Sequence, residues 1–226
     1  MSRCILNVAT GPYVPLQERL LASLRAVGWP RVAAWTGDLP SGSPSHAEVP
    51  YGFKLRAFRE AERNGATSLL WLDSPVVAAM DPAPVFDRLE REGCLFVTSG
   101  ERLGNWAGDA CLDAFGLTRD AAMKLPLLNG TFIGLRLADA PARAWLEGME
   151  RAASRGLFAG PWLTPNAPDE ARKRKPGKSL GHASNDLRCW GHRHDEAVGS
   201  CLAWKAGLPI APLPELFGPE GIFRQA

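Results

Sequence analysis

Residues 67–82 read TSLLWLDSPVVAAMDP. The run Leu69-Leu70-Trp71-Leu72 is short, apolar and bounded by polar and turn-forming residues. That pattern fits a strand buried on both faces of a sheet. The strand ends in one acid, Asp73, followed by the small Ser74 and the breaker Pro75. In open α/β sheets ligands gather beyond the carboxyl ends of such strands, so Asp73 is placed to hold a metal or a ligand hydroxyl. Its plainer role is to end the strand by bonding the backbone of the next turn.

Outward from this strand, short apolar runs alternate with helical spacing. Cys4–Ala9 reads as a first strand and Thr10-Gly11-Pro12 as its turn. Leu16, Leu20, Leu21, Leu24 and Val27 mark a helix, Val32–Trp35 a second strand, and 53–63 a helix closed by Asn64-Gly65. Asp81 caps a helix that buries Val85, Phe86 and Leu89. Leu95–Thr98 and Leu128–Leu135 are strand candidates, with Ser99–Gly108 a loop and short helices over 108–115 and 118–124. Ala142, Trp145, Leu146, Met149 and Ala153 share one face of a further helix. Residues 156–184 read as irregular, and a last helix runs from the His192-Arg193-His194-Asp195-Glu196 cluster to Gly207, before a Pro-rich tail. Strands alternating with helices predict an α/β fold with a mostly parallel sheet flanked by helices, one domain over 1–226 with a basic irregular loop near 160–190.

At 226 residues the chain holds a sizeable core. An apolar share of 46% and a charged share of 22% exclude disorder as the default. The formal charge of +2 points to no class of partner, so local clusters carry that argument. Five cysteines with no CxxC pair speak against a disulfide framework or a zinc ribbon, and imply reduced thiols in a cytoplasmic protein. No run approaches the roughly 20 apolar residues of a membrane span, and the apolar run at the N-terminus is too short for a signal peptide. No GxGxxG or Walker pattern occurs.

Three stretches in order resemble the nucleotide-sugar glycosyltransferases of the GT-A fold. Tyr51-Gly52-Phe53-Lys54 opens a helix ahead of the LLWLDSPVV strand, which in that family ends in a DxD motif. Asn129-Gly130-Thr131-Phe132-Ile133-Gly134 is similar to the strand lining the family's sugar pocket. Gly191–Glu196 is similar to the Asp-Gln helix start beside its reacting centre. Val8–Tyr13 resembles the first strand and turn that grip the nucleobase. The chain looks most like a bacterial and phage branch with a W-x-D-S-S/P and G-H-R-H-D-Q pattern. The resemblance implies a UDP-sugar or related donor, held by Thr10, Gly11, Tyr13, Lys54, Asp73, Ser74, Asn129 and Gly130. It implies Asp195, His194 and Lys54 as catalytic groups, and a divalent cation, Mn²⁺ or Mg²⁺, on Asp73 alone or with His192, His194 or Asp195 as second ligand, unless no metal is used. Pro75 stands where the family carries its second acid, and proline offers no ligand atom. Asp195 has a second reading as a helix cap, Lys54 as a solvated helix-end lysine, and Asn129 as a turn residue.

Arg172, Lys173, Arg174, Lys175 and Lys178 form the one marked charge cluster. Such a run is a solvated loop or a contact for DNA phosphates. Trp106 and Trp162, in polar loops, are candidates to stack on a sugar or base, whereas Trp71 and Trp145 read as core. With the resemblance, this predicts transfer to a hydroxymethylated pyrimidine in DNA. The alternatives are a cell-surface or capsular glycan acceptor, or a non-catalytic nucleotide-sugar-binding protein. A nucleotidyltransferase would want a basic Gly-rich loop after the first strand, and Val8–Gln17 carries no basic residue.

Overall fold

The structure is a computed structural model and describes residues 2–174, 177–217 and 221–225, the side chains of 174 and 215 excepted. In chain order its elements are β1 (Arg3–Ala9), α1 (Val14–Ala26), β2 (Val32–Thr36), α2 (Phe53–Arg63), β3 (Ser68–Leu72), β4 (Val76–Ala78), α3 (Ala83–Glu92) and β5 (Cys94–Thr98). Then follow α4 (Leu103–Trp106), α5 (Asp109–Phe115), α6 (Arg119–Ala122), β6 (Phe132–Arg136), α7 (Ala140–Ser154), α8 (Asp169–Arg174), α9 (His194–Lys205), β7 (Ala211–Pro212) and β8 (Phe223–Gln225).

Six strands make the main sheet in the order β2-β1-β3-β6-β5-β7. β2, β1 and β3 run parallel, and β6 is antiparallel to both of its neighbours. The sheet is therefore mostly parallel, as expected. Its central strands β3, β5 and β6 are mostly apolar because both faces are covered. Alternate residues feed two cores. Leu69, Trp71, Phe96, Ile133 and Leu135 pack with α2, α7 and α9 on one face. Leu70, Leu72, Leu95, Val97 and Phe132 pack with α1 and α3 on the other.

The antiparallel β6 decides where the site forms. Parallel strands β1 and β3 deliver their exits to one edge of the sheet. An antiparallel neighbour delivers its entrance there, so the loop before Phe132 meets the residues after Leu72. The Asp73 N–H donates to the Thr131 carbonyl at 3.0 Å, locking the two together.

Several boundaries differ from the sequence reading. The expected strand over Leu128–Leu135 begins only at Phe132, because Asn129 Oδ1 accepts from the Thr131 N–H at 2.9 Å and turns the chain first. The stretches expected to be irregular contain the short helices α4 and α8, and the Pro-rich tail contributes β7 and β8. β8 pairs with β4 immediately beyond the Asp73 turn. Asp81 does serve the start of α3, its Oδ1 accepting from the Ala83 N–H at 2.9 Å, but it stands one residue before the N-cap position, which Pro82 holds. Asp195 caps nothing: Arg193 holds the N-cap position of α9 and no side chain closes it. All five cysteines are free and buried. Among the described residues no helix is long and apolar enough to cross a membrane.

Candidate active site

A cleft of about 680 Å³ opens at the edge where β1 and β3 end and β6 begins. α2 and α9 both point their N-termini at it, which favours anions there. Lys54, second residue of α2, sits at its floor with a side chain only 5% exposed. Its ammonium donates to the Gly130 carbonyl at 2.9 Å and lies 2.9 Å from Asp195 Oδ2. Asp73 Oδ1 is further off, at 3.7 Å. The rings of Tyr51 and Trp71 lie 5.0 and 5.3 Å from the same nitrogen. Burial works against this ammonium, but the Asp195 and Asp73 carboxylates more than offset it, so its pKa lies above that of ordinary lysine. Burial likewise pushes the Asp195 carboxyl up, and Lys54 pulls it back.

Asp73 faces the cleft, about one-third exposed. Trp71 lies on β3 two residues before Asp73, which follows the strand's end, and its indole N–H donates to Asp73 Oδ1 at 2.8 Å. Trp71 is thus core, as read, and at the same time a strut for the acid. Behind the acid, a buried amide network ties β1 to the end of β3. Asn7 Nδ2 donates to the Leu72 carbonyl at 2.6 Å, Gln17 Nε2 donates to Asn7 Oδ1 at 2.8 Å, and the Ser74 hydroxyl donates to the same oxygen at 3.3 Å.

Of the residues expected to hold a donor, Thr10, Tyr13, Lys54, Asp73, Ser74 and Asn129 line the cleft. Gly11 forms the turn between the first two at φ +53°. Gly130 lies just beneath, its carbonyl on Lys54 and its N–H on Glu196 Oε1 at 3.0 Å. A side chain there would meet Lys54 Nζ at 3.0 Å, so the glycine is set by this close approach. The side-chain oxygen of Asn129 makes the turn, and the residue borders the cleft.

Other expectations are corrected. His192 is buried at 3% exposure, with the Gly108 N–H donating to Nδ1 at 3.2 Å and the Leu157 carbonyl 2.9 Å from Nε2. Both ring nitrogens are spent, which leaves no lone pair for a metal. His194 lies behind the cleft, Nδ1 donating to the Phe158 carbonyl at 2.8 Å, its ring against Tyr51 and Trp162. It supports those rings and is not among the residues that border the cleft. Burial lowers the pKa of both histidines to about 4. Trp106 is buried in α4, its ring under the Arg193 guanidinium at 4.6 Å, and is not available for stacking. Trp162 does border the cleft, with Lys178 Nζ 4.8 Å from its ring centre. Arg172 and Lys173 are exposed on α8 and do not border the cleft. Lys175 and the side chain of Arg174 lie outside the described residues.

Sequence reasoning missed a second charged fork. Arg193 bridges Glu196 Oε2 at 2.9 Å and Glu101 Oε2 at 3.0 Å, and all three border the cleft. Arg193 and Glu196 lay within the quoted cluster, but nothing in the sequence links them to Glu101. Tyr51 was also unassigned. It takes left-handed backbone at φ +62° just before α2, as His194 does at φ +41° at the start of α9. Two non-glycine residues in that region, each costing on the order of 1 kcal/mol, mark the helix ends that carry Lys54 and Asp195.

The donor set does not fit a divalent cation. Mg²⁺ and Mn²⁺ ask for about six oxygen ligands, several from carboxylates or a bound diphosphate. Here Pro75 borders the cleft where a second acid would stand, Asp195 is committed to Lys54, and Glu196 and Glu101 to Arg193. Among the described residues no three His, Cys, Asp or Glu side chains gather as a metal site would need.

No protein-family model and no curated protein matches the chain. Solved structures do. The apo structure of the WbbM bifunctional glycosyltransferase is similar at a TM-score of 0.51 and 11% identity, over 96% of this chain and 40% of that one. A glycosyltransferase involved in glycosylation of the major capsid of PBCV-1 aligns at 0.42 and 15% identity, over 80% of this chain and 83% of that one. The galactosyltransferase LgtC, in complex with donor and acceptor sugar analogs, aligns at 0.40 and 12% identity, over 68% of this chain and 64% of that one. The chain thus spans less than half the length of WbbM, and at 11% identity what the two share is fold. That shared fold is a mostly parallel six-stranded sheet flanked by helices, of the GT-A type.

Proposed function

We propose that the chain is a glycosyltransferase that moves a sugar from a nucleotide-diphosphate donor to an acceptor hydroxyl. The observation that carries this is Asp73 opening into a cleft of about 680 Å³ beside the buried Lys54–Asp195 pair, on a GT-A sheet. In such a transfer the bond between the sugar's C1 and the phosphate oxygen breaks, its electron pair leaving with the diphosphate. The acceptor oxygen bonds C1 and loses its proton to a carboxylate, for which Asp195 is the candidate at the cleft floor. Asp73 receives a hydroxyl of the donor. Thr10 and Tyr13, at the end of β1, border the part of the cleft assigned to the nucleobase, with UDP as the first nucleotide to test.

For the acceptor, a hydroxymethylated pyrimidine in DNA has Lys178 on the cleft wall in its favour. Against it, four carboxylates border the cleft (Asp73, Glu101, Asp195, Glu196) and only three cations (Lys54, Lys178, Arg193). A polyanion entering there meets no excess of positive charge. Tyr51 and Trp162 offer ring faces of the kind that stack on sugars. A neutral glycan hydroxyl, as on a cell-surface or capsular polymer, is the acceptor we favour.

The test is to incubate the protein with a panel of nucleotide sugars, with and without Mn²⁺, and to measure release of nucleoside diphosphate. Release from one donor, lost in Asp73→Ala, is the expected result. A protein that binds a nucleotide sugar and never turns it over would be the non-catalytic alternative.

A further inference from the structure

We infer that this cleft neutralises the departing diphosphate with a resident ammonium, that of Lys54, in place of a divalent cation; the inference rests on the glycosyltransferase reading above. The argument starts from the oxygens that border the cleft. Asp195 Oδ2 is taken by Lys54. Glu196 gives one oxygen to the Gly130 N–H and the other to Arg193, which also holds Glu101. Asp73 Oδ1 accepts from the Trp71 indole. Asp73 turns its other oxygen, Oδ2, to the cleft, and Pro75 stands beside it in place of a second acid. One oxygen next to a fixed ammonium is a poor place for a doubly charged ion, because the two cations repel across the short gap.

The ammonium, in contrast, is already in place and still has something to give. It carries three N–H donors. One goes to the Gly130 carbonyl and one to Asp195, both at 2.9 Å. The third faces Asp73 Oδ1 at 3.7 Å, beyond hydrogen-bond length. An anion in the cleft can take it without breaking either short contact. The floor is walled by the rings of Tyr51 and Trp71, so a charge held there acts more strongly than one in open water. Lys178, against Trp162, supplies a second and more exposed cation at the rim. As the C1–O bond breaks, its electron pair moves onto a phosphate oxygen, and that oxygen accepts the third Lys54 N–H. The acceptor oxygen closes on C1 and its proton passes to Asp195. Asp73, without a metal to ligate, receives a donor hydroxyl through Oδ2.

Two measurements on the full chain test this. In the first, Mn²⁺ is titrated against the protein with UDP or GDP, and free Mn²⁺ is read by electron paramagnetic resonance. The expected result is no more Mn²⁺ retained than the nucleotide alone retains, and nucleoside diphosphate affinity in EDTA within about twofold of that in Mn²⁺. Retention of a stoichiometric Mn²⁺ by the chain, or affinity raised about tenfold or more by it, overturns the inference while leaving the glycosyltransferase reading intact. In the second, Lys54→Met/Asp195→Asn removes both charges together, so that no buried carboxylate is stranded. This variant is expected to bind nucleoside diphosphate about tenfold or more weakly while uridine or guanosine binds as before. Unchanged diphosphate affinity overturns the inference. Failure of every nucleoside diphosphate to bind the wild-type chain, in EDTA and in Mn²⁺ alike, overturns the glycosyltransferase reading and this inference with it.

Discussion

At the scale of single residues, the site is governed by what happens when one charge loses its partner. Lys54 and Asp195 are both nearly inaccessible, so removing either strands the other. Asp195→Ala should lower stability by about 3 kcal/mol, read by urea denaturation, and Lys54→Met/Asp195→Asn should recover most of that loss. Asp73 is different, since its side chain is about one-third exposed and its loss frees a single side-chain donor, the Trp71 indole N–H. Asp73→Ala should fold with stability within about 1 kcal/mol of wild type and lose donor turnover by about a hundredfold or more. The histidines give a pH signature. His192 and His194 have folded pKa values near 4, below their unfolded value, so between those limits the unfolded chain binds more protons. Stability should therefore rise with pH from about 4 to 6.5 and fall as the medium is acidified through that window, by up to roughly 3 kcal/mol per histidine. Thermal denaturation at pH 4.5 and pH 7 checks this, and His192→Gln should flatten the slope by about half. Asp73 and Lys54 were legible as site residues because strand-end position and motif order both point at them. The misreading of His192 arose because a sequence shows that an imidazole is present but not that two backbone groups have already claimed it.

Elements were legible wherever period and burial agree. β1, β3, α2, α7 and α9 fall where their apolar spacing puts them. Leu127 and Leu128 are buried without belonging to a strand, their segment being held by the Leu128 N–H on Ser200 Oγ at 2.7 Å, so apolar character there signalled core and not β structure. α4 exists through distant contacts, with Asn105 Nδ2 donating to the Arg188 carbonyl and the Trp190 N–H donating to the Asn105 carbonyl, which no local window contains. The connection into α9 has its own constraint. A Cβ on Gly191 would fall 2.0 Å from the Trp162 carbonyl oxygen, a backbone atom that cannot swing aside. Gly191→Ala should cost about 2 kcal/mol or more in chemical denaturation and displace the Trp162 wall, raising KM for the acceptor more than it lowers kcat.

For the whole molecule, sheet order and the antiparallel β6 place Thr10, Asp73 and Asn129 along one edge, a convergence that a linear sequence only hints at through motif order. The balance of charge around the cleft is also a property of the assembled chain, because Glu101 and Arg193 come from distant segments. Duplex DNA should accordingly be retained only weakly at about 150 mM salt, as followed by fluorescence anisotropy; tight retention that collapses as salt rises would restore the basic run as an acceptor contact. The Lys54–Asp195 pair has one more consequence. Its two halves belong to α2 and α9, elements far apart in the sequence. During synthesis the lysine emerges from the ribosome long before the aspartate does, and only water balances it in the meantime. Docking of α9 is thereby a late event with a long loop to close, and a nascent chain shorter than that helix has no finished floor on which to receive a donor.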